Sequence, residues 1–223
     1  MFDFMKAIYD FVYPHCCICC GEGLHNQDLF ICDYCCDSRF EQPLDQDHFI
    51  LPDHVSLVYS MWKFDKGGYL QEILHQLKYN RQIGAGKQLG RLIGAKLNQI
   101  QLFIDDPPLL IPIPLHPSKE RYRGFNQSRA IADGIEGITG WPIVDNSSVI
   151  RVKKTKTQTG LTTERRVSNL QNAFAIPRPE ELRLTAPVIV DDVFTTGTTT
   201  FELSKTIFAN TGKKSIILTI ARA

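Results

Sequence analysis

Read for its spacing of apolar and polar positions, the chain divides into three stretches. Phe4, Ile8, Phe11 and Val12 recur at helical spacing near the amino terminus, which predicts an amphipathic helix packed on a core. The run Val55-Ser-Leu-Val-Tyr-Ser-Met-Trp62 is rich in β-branched and aromatic residues and reads as a strand. Beyond Gly67-Gly68, Leu70, Ile73, Leu74 and Leu77 again fall at helical period, and a second helix is expected over about Gly86–Ile100. From there the pattern alternates. Leu109-Leu-Ile-Pro-Ile-Pro114 predicts a buried strand and Asn126–Ile138 a helix. Pro142–Val152 predicts a second strand region and Val188-Ile-Val190 a third. Thr198–Asn210 predicts a helix with Gly212 as its C-cap, and Ile216–Ile220 a closing strand. Strands separated by helices predict an α/β fold with a mostly parallel sheet flanked by helices. The expected division is residues 1–53 as an N-terminal helix and cysteine segment, and 54–223 as the α/β domain.

Size and charge narrow this little. The 223 residues are 43% hydrophobic with a formal net charge of +1, enough for one substantial core and unlike a disordered chain. No stretch approaches the length of a membrane span, and Asp3, Lys6 and Asp10 interrupt the N-terminal apolar run, which makes it a poor signal peptide. The expectation is a cytoplasmic protein without stable membrane insertion.

The charge is unevenly spread. Arg151, Lys153, Lys154, Lys156, Arg165 and Arg166 stand against Glu164 alone, and Lys119, Arg121 and Arg123 against Glu120. Two segments of +5 and +2 therefore leave −6 for the remainder of a chain whose total is +1. Such polarity suits a phosphorylated ligand, and in its extended form a nucleic-acid track. Tyr122, Phe125 and Trp141 are candidate stacking faces for bases, though aromatics beside a core usually pack.

All seven cysteines lie between Cys16 and Cys36. A disulfide framework spreads its cysteines through a fold, whereas a metal site gathers them. Cys17-x-x-Cys20 and Cys32-x-x-Cys35 form two knuckles separated by eleven residues, the arrangement of a four-cysteine structural zinc site, with an iron–sulfur cluster or a redox thiol pair as the alternatives. Cys16-x-x-Cys19 also fits. Gly21 favours Cys17 and Cys20, since it suits the tight turn that closes a knuckle.

The densest chemistry is Val188-Ile-Val-Asp-Asp-Val-Phe-Thr-Thr-Gly-Thr-Thr-Thr200. Ligands of open α/β sheets sit at the carboxyl ends of the strands, which places Asp191 and Asp192 at a site. Gly197 lets the backbone approach an anion, and the following helix offers unpaired N–H groups. The loop is neither a Walker A motif nor a dinucleotide fingerprint. It resembles the signature with which type I phosphoribosyltransferases bind 5-phosphoribosyl 1-diphosphate (PRPP). That resemblance implies that Asp191 and Asp192 hold the ribose hydroxyls. It further implies that Val193 belongs to the PRPP-binding loop, that Thr195, Thr196, Gly197, Thr198 and Thr199 bind the 5′-phosphate, that the loop Leu115–Lys119 holds pyrophosphate, and that Mg²⁺ accompanies PRPP. Lys119, Arg121, Arg123, Lys153, Lys154, Lys156 and Arg165 are then candidates for pyrophosphate or DNA.

Beyond the phosphate loop, Pro112-Ile-Pro-Leu-His-Pro117, Arg123-Gly-Phe-Asn-Gln127 and Lys154-Thr-Lys-Thr-Gln-Thr-Gly160 occur in order after the cysteine knuckles. Together these motifs resemble the ComF family of competence proteins over nearly the whole chain. The resemblance implies a role in natural transformation, acting on incoming single-stranded DNA with helicase or recombination partners. Two other readings fit the residues: a metabolic PRPP-dependent phosphoribosyltransferase with an unidentified acceptor, and a non-catalytic PRPP sensor. His116 is either a base or a shaper of its loop.

Overall fold

The computed structural model describes residues 15–26, 28–43, 50–100, 104–153 and 172–223. The N-terminal helix expected around Phe4–Val12 lies outside them. The described elements are α1 (Asp33–Ser38), β1 (Val55–Lys63), α2 (Tyr69–Tyr79), α3 (Ile83–Ile100), β2 (Pro108–Pro112), α4 (Pro117–Arg123), α5 (Gln127–Thr139), β3 (Ile150–Arg151), β4 (Phe174–Ala175), α6 (Glu180–Arg183), β5 (Ala186–Phe194), α7 (Thr198–Thr211) and β6 (Ser215–Arg222).

Four strands form one sheet in the order β1-β6-β5-β2, every pair parallel. Alternation along β6 explains the two layers. Ile216, Leu218 and Ile220 join Val188 and Val190 of β5 against α2, α3 and α5, while Ile217 and Ile189 face α7 through Leu203 and Ile207. This is the predicted α/β sheet with helices on both faces, with the near-continuous apolar strands that such burial requires.

Helices α3 and α5 touch backbone to backbone. A Cβ at Gly90 would stand 2.0 Å from the Ile131 carbonyl oxygen, and one at Gly134 2.1 Å from that of Lys87. Only glycines allow this approach, and it seats the amino end of α5, with its polar residues, over the carboxyl end of the sheet.

The cysteine segment rests on α3. Gln88 is buried, and its Oε1 accepts from the N–H groups of Phe30 (2.7 Å) and Ile31 (2.9 Å) while Nε2 donates to the Ile31 carbonyl (2.6 Å). Cys17, Ile31, Cys35 and Phe40 share one apolar cluster with Trp62, Leu70 and Ile93.

The strand expected over Pro142–Val152 does not form as one piece. Ile143 makes a single parallel bridge to Leu110, and only Ile150–Arg151 pairs, antiparallel to Phe174–Ala175. Between them Asp145 accepts from the Ser147 N–H at 2.8 Å, a local side-chain turn that competes with the ladder. Conversely, β5 runs past Val190 to Phe194, so the two aspartates lie within the strand rather than beyond it.

Candidate functional site

At the carboxyl ends of β5 and β2 a cavity of about 250 Å³ collects Asp191, Asp192, the loop Thr195–Thr199, Lys119 and Arg123. It also takes in Lys78 from α2, Gln127 from α5 and Arg151 from β3.

The anion-binding end is built by backbone. Gly197 has φ +70° and caps α7, a fourteen-residue helix. A Cβ there would also meet the ring of Phe201 at 2.5 Å and that of Phe194 at 2.8 Å, so glycine is required by both torsion and space. Thr200 Oγ1 donates to the Gly197 carbonyl at 3.0 Å, and the Thr196 and Thr198 hydroxyls stand 2.6 Å apart. The first-turn N–H groups of α7 and this hydroxyl pair face one space, with the positive end of the helix dipole behind them.

The acid pair is held rigidly. Asp191 pairs with Thr219 across the sheet, and its Oδ1 accepts from Ser128 Oγ at 2.9 Å and from the Asp192 N–H at 3.0 Å. Asp192 is buried and in contact with the ammonium of Lys78. These environments push the two carboxyls apart. Burial, aided by the charge of Asp192, raises Asp191 to about 7. Burial also opposes the charge on Asp192, but Lys78 outweighs it and Asp192 ends below the usual carboxylate range. Lys78 is stabilised as a cation in return. Lys119 is lowered, first by burial and then by Arg123, Arg151 and Lys78, which places four cations within electrostatic reach of one another.

A pH dependence follows. The folded protein holds the Asp191 proton to higher pH than the unfolded chain does, so this group favours folding below about pH 4 and loses that contribution as pH rises through about 7. Asp191→Asn removes the loss. Its thermal midpoint is expected to gain on wild type by a few degrees between pH 5 and pH 8; a difference that stays flat or narrows contradicts the burial account.

The basic loop departs from expectation in shape. Pro117–Arg123 is a helix whose N-cap is His116: Nδ1 accepts from the Ser118 N–H at 3.2 Å and lies 2.9 Å from Ser118 Oγ. His116 therefore shapes this segment. Lys119 and Arg123, four apart, reach the cavity together, and Arg123 donates to Gln127 Oε1 at 2.8 Å. Arg121 points outward and is exposed. Lys153 is exposed at the end of its described stretch, and Lys154, Lys156 and Arg165 lie outside the described residues. The spacing along the chain did not reveal Lys78, which follows the core residue Leu77, nor the position of Arg151, counted there only as part of a charge run.

At the cysteine segment the structure brings together the four sulfurs of the Cys17/Cys20 register. Sγ atoms of Cys17, Cys20, Cys32 and Cys35 all lie within 4.8 Å of one another. The pairs Cys17–Cys35 and Cys20–Cys32 are separated by 3.9 and 3.8 Å, close to the roughly 3.8 Å edge of a tetrahedron with metal–sulfur bonds of about 2.3 Å. Backbone N–H groups of Cys19 and Cys32 point at Cys17 Sγ (3.4 and 3.3 Å). Burial works against a thiolate at Cys17, but these and the Cys20 N–H bring it down to about 7. Gly21 has φ +79° and its N–H closes the knuckle on the Cys17 carbonyl at 2.8 Å. The four sulfurs can hold a metal such as zinc. Cys16 instead takes part in a backbone bridge to Gly23, Cys36 is buried in the core and His15 contacts the Leu29 carbonyl.

The parallel sheet, the acid pair at its carboxyl edge and the four-cysteine cluster define an α/β protein of the phosphoribosyltransferase-like class. The ComF resemblance is borne out by homologues. The chain is 32% identical over 143 residues to Competence protein F of Haemophilus influenzae, covering 61% of this chain and 60% of that protein. It is 32% identical over 149 residues to DNA utilization protein YhgH of Escherichia coli K12, and 33% identical over 149 residues to that of Shigella flexneri. In both of these the match covers 63% of this chain and 62% of the relative. The matches thus span about three fifths of the curated relatives' length. No family model matches the chain. Among the described residues no helix is long and apolar enough to cross a membrane.

Proposed function

We propose that the chain binds PRPP and handles imported single-stranded DNA in the cytoplasm during natural transformation. The observation that carries the reading is the convergence, in one cavity, of a helix-capped threonine loop, two strand-borne aspartates and a cluster of cations. The loop Thr195–Thr199 takes the 5′-phosphate, Asp191 and Asp192 accept from the ribose hydroxyls, and Lys119, Arg123 and Arg151 take the diphosphate. The names of the relatives, a competence protein and DNA utilization proteins, support the setting. Helicase and recombination proteins of DNA uptake are the fitting partners. Arg121 and Lys153 are exposed, each two positions along the chain from a cation that lines the cavity, and would offer surface charge to a phosphate-bearing strand.

The cofactors differ in their fit. Zinc fits Cys17, Cys20, Cys32 and Cys35 by sulfur spacing, and its part is structural. A resident Mg²⁺ fits poorly: among the described residues Asp191 and Asp192 are the carboxylates lining the cavity, and Asp192 is already paired with Lys78. Mg²⁺ enters only as a counter-ion that PRPP itself carries.

A second reading, a metabolic phosphoribosyltransferase, is favoured by one observation. A further cavity of about 210 Å³, lined by Pro112, Pro114, Val144 and Asn146, adjoins the first and shares Leu115 and Arg151 with it, which gives an acceptor room. The test is incubation with PRPP, Mg²⁺ and single-stranded DNA, following PRPP binding, DNA binding against salt, and pyrophosphate. PRPP binding, with DNA affinity that falls as salt rises, is expected. Pyrophosphate release that needs a small acceptor instead of DNA assigns the second reading; no PRPP binding defeats both.

A further inference from the structure

Lys78 belongs to none of the motifs that mark this site. It sits on α2, one residue past Leu77, and its ammonium lies against Oδ2 of Asp192, with the lysine side chain 27% and the aspartate side chain 8% exposed. Lys119, Arg123 and Arg151 line the same cavity. On the reading just given, Asp192 is also an acceptor for a ribose hydroxyl. One carboxylate thus has two claimants: the protein's own ammonium and the sugar.

We propose that Lys78 is a specificity-determining residue that selects a ribose carrying an anionic group at C1, because it yields Asp192 only to a ligand whose diphosphate replaces that carboxylate as its counter-ion. The inference rests on the PRPP reading and adds the role of this residue to it. A ribose 5-phosphate whose hydroxyls drew both Asp192 and the nearby Asp191 to the sugar would leave the partly buried ammonium without its contacting carboxylate, next to three other cations. That arrangement is strongly unfavourable. A 1-diphosphate removes the conflict, since its oxygens arrive among those cations and the lysine stem is flexible enough to turn the ammonium toward them. Discrimination then comes from an exchange of ion pairs, beyond the attraction that any anion feels for a basic cavity.

Calorimetric titration of the full, metal-loaded chain with PRPP and with ribose 5-phosphate tests this. Wild type is expected to prefer PRPP. Lys78→Met is expected to weaken PRPP roughly tenfold or more, about what one charge-assisted hydrogen bond contributes, while ribose 5-phosphate stays unchanged or tightens. The preference therefore collapses. Lys78→Arg, which keeps the charge, is expected to retain most of it. Lys78→Met combined with Asp192→Asn leaves no orphan charge, guards against simple misfolding of the single variant, and is expected to show the same collapse in the ratio. A merely structural lysine would weaken both ligands alike. Equal weakening, or an unchanged ratio in both neutral variants while wild type still binds PRPP, overturns this inference alone. Wild type that binds neither ligand overturns the PRPP reading, and this inference with it.

Discussion

Cys35→Ser is expected to abolish stoichiometric zinc and to lower the thermal midpoint by more than about 10 °C, since structural zinc contributes on the order of 10 kcal/mol to small zinc-dependent folds. The effect should reach beyond the knuckles. Cys35 and Cys17 are buried in the same apolar cluster as Trp62, Leu70 and Ile93, and the segment between the knuckles is tied to α3 through Gln88. Without a metal, the described residues between 15 and 43 have one short helix, α1, and an isolated bridge between Cys16 and Gly23 as local structure, too little to hold that position. Elemental analysis of protein kept reduced gives the zinc content, and Cys16→Ser serves as the control that keeps both zinc and midpoint. A reduced protein with no zinc, or one that loses it on Cys16→Ser but not on Cys17→Ser, contradicts the assignment.

Replacing both Asp191 and Asp192 by alanine is expected to weaken PRPP binding by roughly 100-fold or more. At pH 8, where Asp191 is ionised as well as Asp192, hydrogen bonds to charged acceptors contribute about 1.5–3 kcal/mol each, and the pair supplies at least two toward the ribose diol. Charge makes this test sharp. Removing both carboxylates takes negative charge away from beside Lys78, Lys119, Arg123 and Arg151, which raises the cavity's general attraction for anions. A loss of affinity against that background reports the sugar clamp alone. Inorganic phosphate, which touches no diol, should bind the double variant no more weakly than it binds wild type.

Much of this was legible along the chain, and the misses have physical causes. The strands of the buried sheet are continuous apolar runs bounded by turn residues, so Val55–Trp62, Leu109–Pro114 and Ile216–Ile220 could be read directly. Asp191 and Asp192 were readable as site residues but not as strand residues. Polar side chains end a strand by propensity, and only the neighbouring β6 keeps their backbone paired. Pro142–Val152 failed in the opposite way, because the Asp145–Ser147 turn takes up the hydrogen-bonding groups that a ladder would need. The division between Lys119 and Arg123 on one side and Arg121 on the other had a usable signal: Pro117 after His116 opens a helix, and residues four apart share its face. Lys78 had none. On α2 it is one more polar residue beside a core stripe, and its meaning comes from a strand more than a hundred positions further along the chain.

The central claim is that the cavity at the ends of β2 and β5 is a PRPP site, and the most direct measurement is a calorimetric titration of PRPP into the wild-type chain and the Asp191→Ala/Asp192→Ala variant, both shown to be folded and zinc-loaded. Saturable binding to wild type at one ligand per chain, and its loss in the variant, is the expected result. No binding to wild type, or equal affinity in the two proteins, would contradict it.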